Sequence, residues 1–85
     1  MESGSEFRTP MDALVVGSVR NLLGSTSVGI NDNFLDIGGN SITAIRLGQI
    51  LTEELGIPRT ARIIFRNPVL KDLSDALSEI ADNAP

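Results

Sequence analysis

Apolar residues along this chain recur at helical rather than strand spacing. Met11, Leu14, Val15, Val19 and Leu22 are separated by threes and fours, behind a start at Thr9-Pro10-Met11-Asp12. That start combines a hydroxyl N-cap, proline at the first helical position and an acid in the first turn, facing the positive end of the dipole. With Gly24 as the stop, a helix over roughly 10–23 is predicted. A second helix is predicted from Ser41 to Leu55, closed by Gly56, with Pro58 beyond it. Asn67-Pro68 repeats the cap-plus-proline start, and Leu70, Leu73, Leu77 and Ile80 form the stripe of a last helix over roughly 68–82. Arg59 to Phe65 reads as one or two helical turns. No strand alternation competes, so the expected fold is all-α: a bundle of three main helices plus a short third one.

The connection from Ser25 to Asn40 is long, with Gly29, Asn31-Asp32-Asn33 and Gly38-Gly39 interrupted by Val28, Ile30, Phe34, Leu35 and Ile37. These apolar residues are expected to anchor the loop on the bundle, Phe34 above all. Connections of this length in small domains are usually functional. A calcium loop is excluded, because the acids are out of alternating register and no bidentate Glu follows.

Composition narrows the chemistry. The chain has 85 residues, of which 41% are hydrophobic and 21% charged, the balance of one small folded domain. It contains neither His nor Cys, which removes imidazole- and thiolate-based catalysis, disulfides and most transition-metal sites. The lone lysine, Lys71, lies on an ordinary amphipathic stretch. No catalytic residue and no metal ligand are therefore assigned, and the chain is not expected to be an enzyme. The net charge of -4 and the absence of Tyr and Trp argue against a nucleic-acid partner. No apolar run approaches the roughly 20 residues of a membrane span and no signal-peptide pattern opens the chain, so a cytoplasmic location is expected. Residues 1–8 lack periodicity and read as a cloning remnant, 9–82 as the domain and 83–85 as a tail or linker. Without residues 1–8 the nine acids and six bases that remain still leave -3.

Attention falls on Gly38-Gly39-Asn40-Ser41. Two glycines permit positive φ and place no side chain beside Ser41, which should stand exposed at a helix start. Taken alone, these residues read as a plain glycine turn with Asn40 or Ser41 as N-cap. At about 100° per residue, Ala44, Leu47, Leu51 and Leu55 form the core face of the second helix, opposite Ile42 and Ile45. The two isoleucines thus make a contact patch beside Ser41, unless Ile45 packs beneath the loop or the short helix. Arg59, Arg62 and Arg66 form a basic stripe, read as a solvated face with partner docking as the alternative.

The run from Val28 to Leu47, VGINDNFLDIGGNSITAIRL, closely resembles the thiolation motif of peptidyl carrier proteins from nonribosomal peptide synthetases, D-x-F-x-x-x-G-G-x-S-[LI]-x-A-x-x-L. The resemblance extends upstream to Leu23-Gly24 and downstream through Gly56-Ile57-Pro58, Ile64-Phe65 and Asn67-Pro68 to Leu73. It implies a four-helix carrier whose Ser41 hydroxyl receives 4'-phosphopantetheine from coenzyme A through a phosphopantetheinyl transferase. Gly38, Gly39 and Asn40 would then form the attachment turn, and Ile42, Ile45, Arg46 and Arg62 a partner-binding surface. The arm's thiol would hold aminoacyl or peptidyl groups as thioesters, so that sulfur chemistry comes with the cofactor. Implied partners are adenylation, condensation and thioesterase or tailoring enzymes, with the carrier itself a monomer. Asn40 stands where many such carriers have His or Asp, Val69 where Thr often follows proline, and Arg66 where an acid is frequent. The alternatives are an acyl or aryl carrier of a polyketide or related pathway, against which the double glycine speaks, and a cofactor-free helical interaction module. Noncovalent phosphate binding at the glycine turn lacks a preceding strand and a P-loop lysine.

Overall fold

The structure is a computed structural model and describes residues 7–83. Four helices follow in order: α1 (Pro10–Leu23), α2 (Ser41–Leu55), α3 (Thr60–Arg66) and α4 (Leu70–Asp82). The first two start and stop where local chemistry dictates. Thr9 Oγ1 accepts the Asp12 N–H at 3.1 Å, and Gly24 and Gly56 end α1 and α2 in the left-handed region at φ 65° and 71°.

The start of α4 departs from expectation. Asn67 does not cap it; its N–H donates back to the Ile63 and Ile64 carbonyls and closes α3 instead. Pro68 is not helical, because its carbonyl accepts the Phe34 N–H at 2.7 Å while the Leu70 N–H donates to Asp32 O at 2.9 Å. These bonds flank an antiparallel bridge between Asn33 and Val69, tying the long loop to the α3–α4 connection. α4 thus begins at Leu70 behind Val69, with no side-chain cap.

The core is shared by all four helices and the loop. Val15, Val16 and Val19 of α1 meet Leu47 and Leu51 of α2, Ile64 of α3, and Leu70, Leu73 and Leu77 of α4. Val28 and Phe34 enter it from the loop, Ile30 and Ile37 pack at its margin, and Leu35 turns outward. The buried side of α1 is rotated from the expected stripe: Val16 and Asp12 are enclosed, whereas Met11, Leu14 and Leu22 are only partly covered. Ile80, expected in the α4 stripe, is exposed.

Asp12 can be buried because its charge is matched. Its carboxylate accepts hydrogen bonds from the Arg8 main-chain N–H and Nε, both at 2.9 Å, and from the Ser74 hydroxyl of α4. Burial pushes this carboxyl up, but the hydrogen bonds from Arg8 and Ser74 outweigh it and bring the pKa down from 3.8 to about 2. Arg8 also reaches Asp75 at 2.9 Å, and the Arg20 guanidinium lies 5.8 Å from the Phe7 ring centroid. Of the segment read as a cloning remnant, residues 1–6 lie outside the described residues, whereas Phe7 packs on the bundle and the exposed Arg8 is tied to it through Asp12 and Asp75. Of the expected tail 83–85, only Asn83 is described.

α3 is set against α2 by a close backbone approach. A Cβ placed on Gly48 would stand 2.8 Å from Ala61 N, so glycine is required where the helices touch. Nearby, the buried Thr60 hydroxyl donates to Ile57 O at 2.8 Å and pairs with Thr52 at 2.9 Å, leaving Thr52 as the donor to Thr60. Among the described residues no helix is long and apolar enough to cross a membrane.

Candidate functional site around Ser41

The turn before α2 is shaped by two glycines with different tasks. Gly38 adopts φ 108°, which side chains rarely tolerate. Gly39 is needed for space: a Cβ there would lie 2.4 Å from two Phe34 ring atoms and 2.5 Å from Phe34 O. The Gly39 N–H also donates to that carbonyl at 2.9 Å. Phe34, fully buried, is therefore both the clip that fixes the loop and the wall against which the turn closes.

Asn40, not Ser41, is the N-cap. Its Oδ1 accepts the Thr43 N–H at 3.0 Å, and Thr43 Oγ1 accepts the Asn40 N–H at 2.8 Å, a reciprocal capping box. Ser41 thereby becomes the first residue of α2 and is exposed. Its hydroxyl makes no hydrogen bond among the described residues, and neither do the main-chain N–H groups of Ser41 and Ile42 at the helix's positive end.

Ile42 and Ile45 are 68% and 51% exposed, on the side of α2 away from Ala44, Leu47 and Leu51. Leu55, expected on that core face, is partly buried. Ile45 does border the shallow groove between α2 and α3, along with Gly48, Thr52, Arg59 and Ala61, but is not covered by either element. Arg46 and Arg62 are exposed as well. The structure thus gathers Gly38, Gly39, Asn40, Ser41 and Ile42 at one turn and extends the exposed surface along α2. Three residues at this site escaped the sequence reading. Thr43 completes the cap, a role its spacing three positions after Asn40 could have signalled. Gly48, a glycine inside a helix, is itself a flag for close packing. Phe65 is 46% exposed on α3, and nothing in its local pattern distinguishes it from a core residue.

Residues 13–77 match the family described as "Phosphopantetheine attachment site". Among known proteins, the chain is 37% identical over 67 residues to cyclosporin synthetase simA of Tolypocladium inflatum, covering 79% of this chain and, to the nearest percent, 0% of that protein. It is 34% identical over 76 residues to a component of the linear gramicidin synthase of Brevibacillus parabrevis, covering 89% of this chain and 2% of that one. To phosphinothricin tripeptide synthetase PhsB of Streptomyces viridochromogenes it is 35% identical over 74 residues, covering 87% and 6%. The chain thus spans only a small part of the length of these relatives. Its fold is that of the solution structure of an active-site mutant of a peptidyl carrier protein, with TM-score 0.84 at 19% identity over 99% of this chain and 93% of the other. With the family matched over most of its length, the chain belongs to the phosphopantetheine attachment site family, as a carrier domain of the kind nonribosomal peptide synthetases contain, and 4'-phosphopantetheine is the group that family attaches.

Proposed function

We propose that Ser41 is the attachment residue and that the domain carries aminoacyl or peptidyl groups between the enzymes of a peptide assembly line. The observation that carries this reading is an exposed, unbonded serine hydroxyl at the first position of α2, beside two free main-chain N–H groups and a turn that Gly38 and Gly39 keep clear of side chains. A phosphodiester suits that place, because helix N-termini offer unpaired donors and a positive dipole end to anions. Ser41 Oγ would attack the pyrophosphate of coenzyme A, forming one P–O bond as the bond to the adenosine bisphosphate breaks. The hydroxyl proton would leave to a base on the transferase, since no side chain among the described residues accepts a hydrogen bond from Ser41 Oγ. When bound, the group supplies a terminal thiol that holds acyl cargo as a thioester.

The chain's own residues present and hold the attachment point. Asn40 and Thr43 lock the first turn of α2, Phe34 holds the preceding loop, and Ile42, Ile45, Arg46 and Arg62 form the surface that partners read. Those partners are a phosphopantetheinyl transferase, adenylation and condensation domains, and thioesterase or tailoring enzymes, met by a monomer in the cytoplasm, where coenzyme A is supplied. The peptide synthetases among the relatives favour peptide over polyketide cargo. Intact mass after incubation with coenzyme A and a broad transferase tests the proposal. A gain of one phosphopantetheinyl group is expected for the chain and none for Ser41→Ala; a gain by the variant would place attachment elsewhere.

A further inference from the structure

Charge is distributed unevenly along this acidic chain. Residues 37–71 hold Arg46, Arg59, Arg62, Arg66 and Lys71 against two acids, Glu53 and Glu54 near the end of α2, whereas 72–83 holds Asp72, Asp75, Glu79 and Asp82 with no base. Arg46, Arg62 and Arg66 are exposed and make no ion pair or side-chain hydrogen bond among the described residues.

Geometry places these cations on either side of one apolar strip. The Thr52–Thr60 bond and the approach of Gly48 to Ala61 fix α3 running back along α2, from the middle of that helix towards its Ser41 end. The Asn33–Val69 bridge continues the same course to the loop that leads into Ser41. At about 100° per residue, Ile45 lies next to the contact line on α2, then Ile42 and Arg46 towards the Ser41 end, with Glu53 about two turns further along the same side, away from Ser41. On α3 the order outward from Ala61 is Phe65, then Arg62 and Arg66. Ile42, Ile45 and Phe65, all roughly half exposed or more, therefore form one strip with guanidinium groups along both edges.

We infer that this strip docks a protein surface whose apolar stripe is bordered by carboxylates, with Phe65 as an anchor and Arg66 joining Arg46 and Arg62 as the residues that select for negative charge. The inference rests on the carrier reading for the presence of partners, and adds the sign of the charge they present. Exposed aromatic and arginine side chains are the types enriched at interfaces, and complementary charge governs encounter rate and rejection of wrong partners. The acidic α4, which packs on α1 and α3, disfavours the same partner on its own surface, so the charge pattern also orients the approach.

Two synthetic amphipathic helical peptides with the same leucine stripe, one edged by Glu and the other by Lys, test this. Titrated into the isotopically labelled chain at low salt, the Glu-edged peptide is expected to bind at least tenfold more tightly, to shift the amides of Ile42, Ile45 and Phe65, and to weaken as salt rises. Arg62→Glu with Arg66→Glu should reverse the preference. Equal binding of the two peptides, or shifts confined to α4 or to the face of α1, would overturn the inference on the unsubstituted chain alone, whether or not the variant folds. A separate mass measurement keeps the two readings apart: uptake of phosphopantetheine with equal peptide binding defeats the docking surface only, and selective binding without uptake defeats the carrier reading only.

Discussion

Phe34 joins the loop to the core and shapes the turn at Gly39, so its loss should act on both. Phe34→Ala is expected to cost about 3 to 5 kcal/mol, read as a lower melting temperature and denaturation midpoint. That role was legible in the sequence because a large apolar residue sat among polar neighbours. Asp12 was not legible: an acid in a first helical turn ordinarily faces solvent, and the cation that makes its burial possible, Arg8, lies in a segment read as foreign to the domain. Its folded pKa of about 2 lies below the ordinary 3.8. The stabilisation is therefore complete above about pH 5 and lost as pH falls through the folded value, with a size on the order of 2 kcal/mol. Thermal melts between pH 5 and pH 2 should show a steeper loss for the parent chain than for Asp12→Asn; equal slopes would mean the carboxylate titrates as it does unfolded.

Where a helix begins depends on what else its first residues can bond. The starts of α1 and α2 followed from Thr9-Pro10 and from Asn40 because nothing distant competed. Asn67-Pro68 carries a similar signal, yet the Phe34 N–H claims the Pro68 carbonyl and Asn67 closes α3, so α4 starts later. Gly48 likewise has meaning only once Ala61 is opposite it. Gly48→Ala should gain helix propensity and still lose about 1 to 3 kcal/mol through overpacking, with amide shifts concentrated on α3; a more stable variant would show that the helices separate easily. On the outer side of α2, Ile42→Ala and Ile45→Ala should melt within about 0.5 kcal/mol of the parent. They should nonetheless slow modification by the transferase, or transfer with an adenylation or condensation partner, Ile42 more than Ile45. Large stability losses with unchanged kinetics would make them core residues.

Across the whole molecule, the helices serve to hold one loop and one helix start in place. The bundle, its helix number and the site turn could be read from the chain, since each rests on local spacing or on a motif contiguous in sequence. The exposed Phe65, the rotated face of α1 and the two-sided edge of cations could not, because each depends on how α3 and α4 return against earlier elements. We propose that this bundle presents Ser41 for modification, and peptide mapping of the chain after reaction with coenzyme A and a broad transferase puts that to the test. One phosphopantetheinyl group on the peptide bearing Ser41, localised to that residue by fragmentation, is the expected result. A group on any other serine or threonine, or an unmodified chain beside a control carrier that reacts fully, would contradict it.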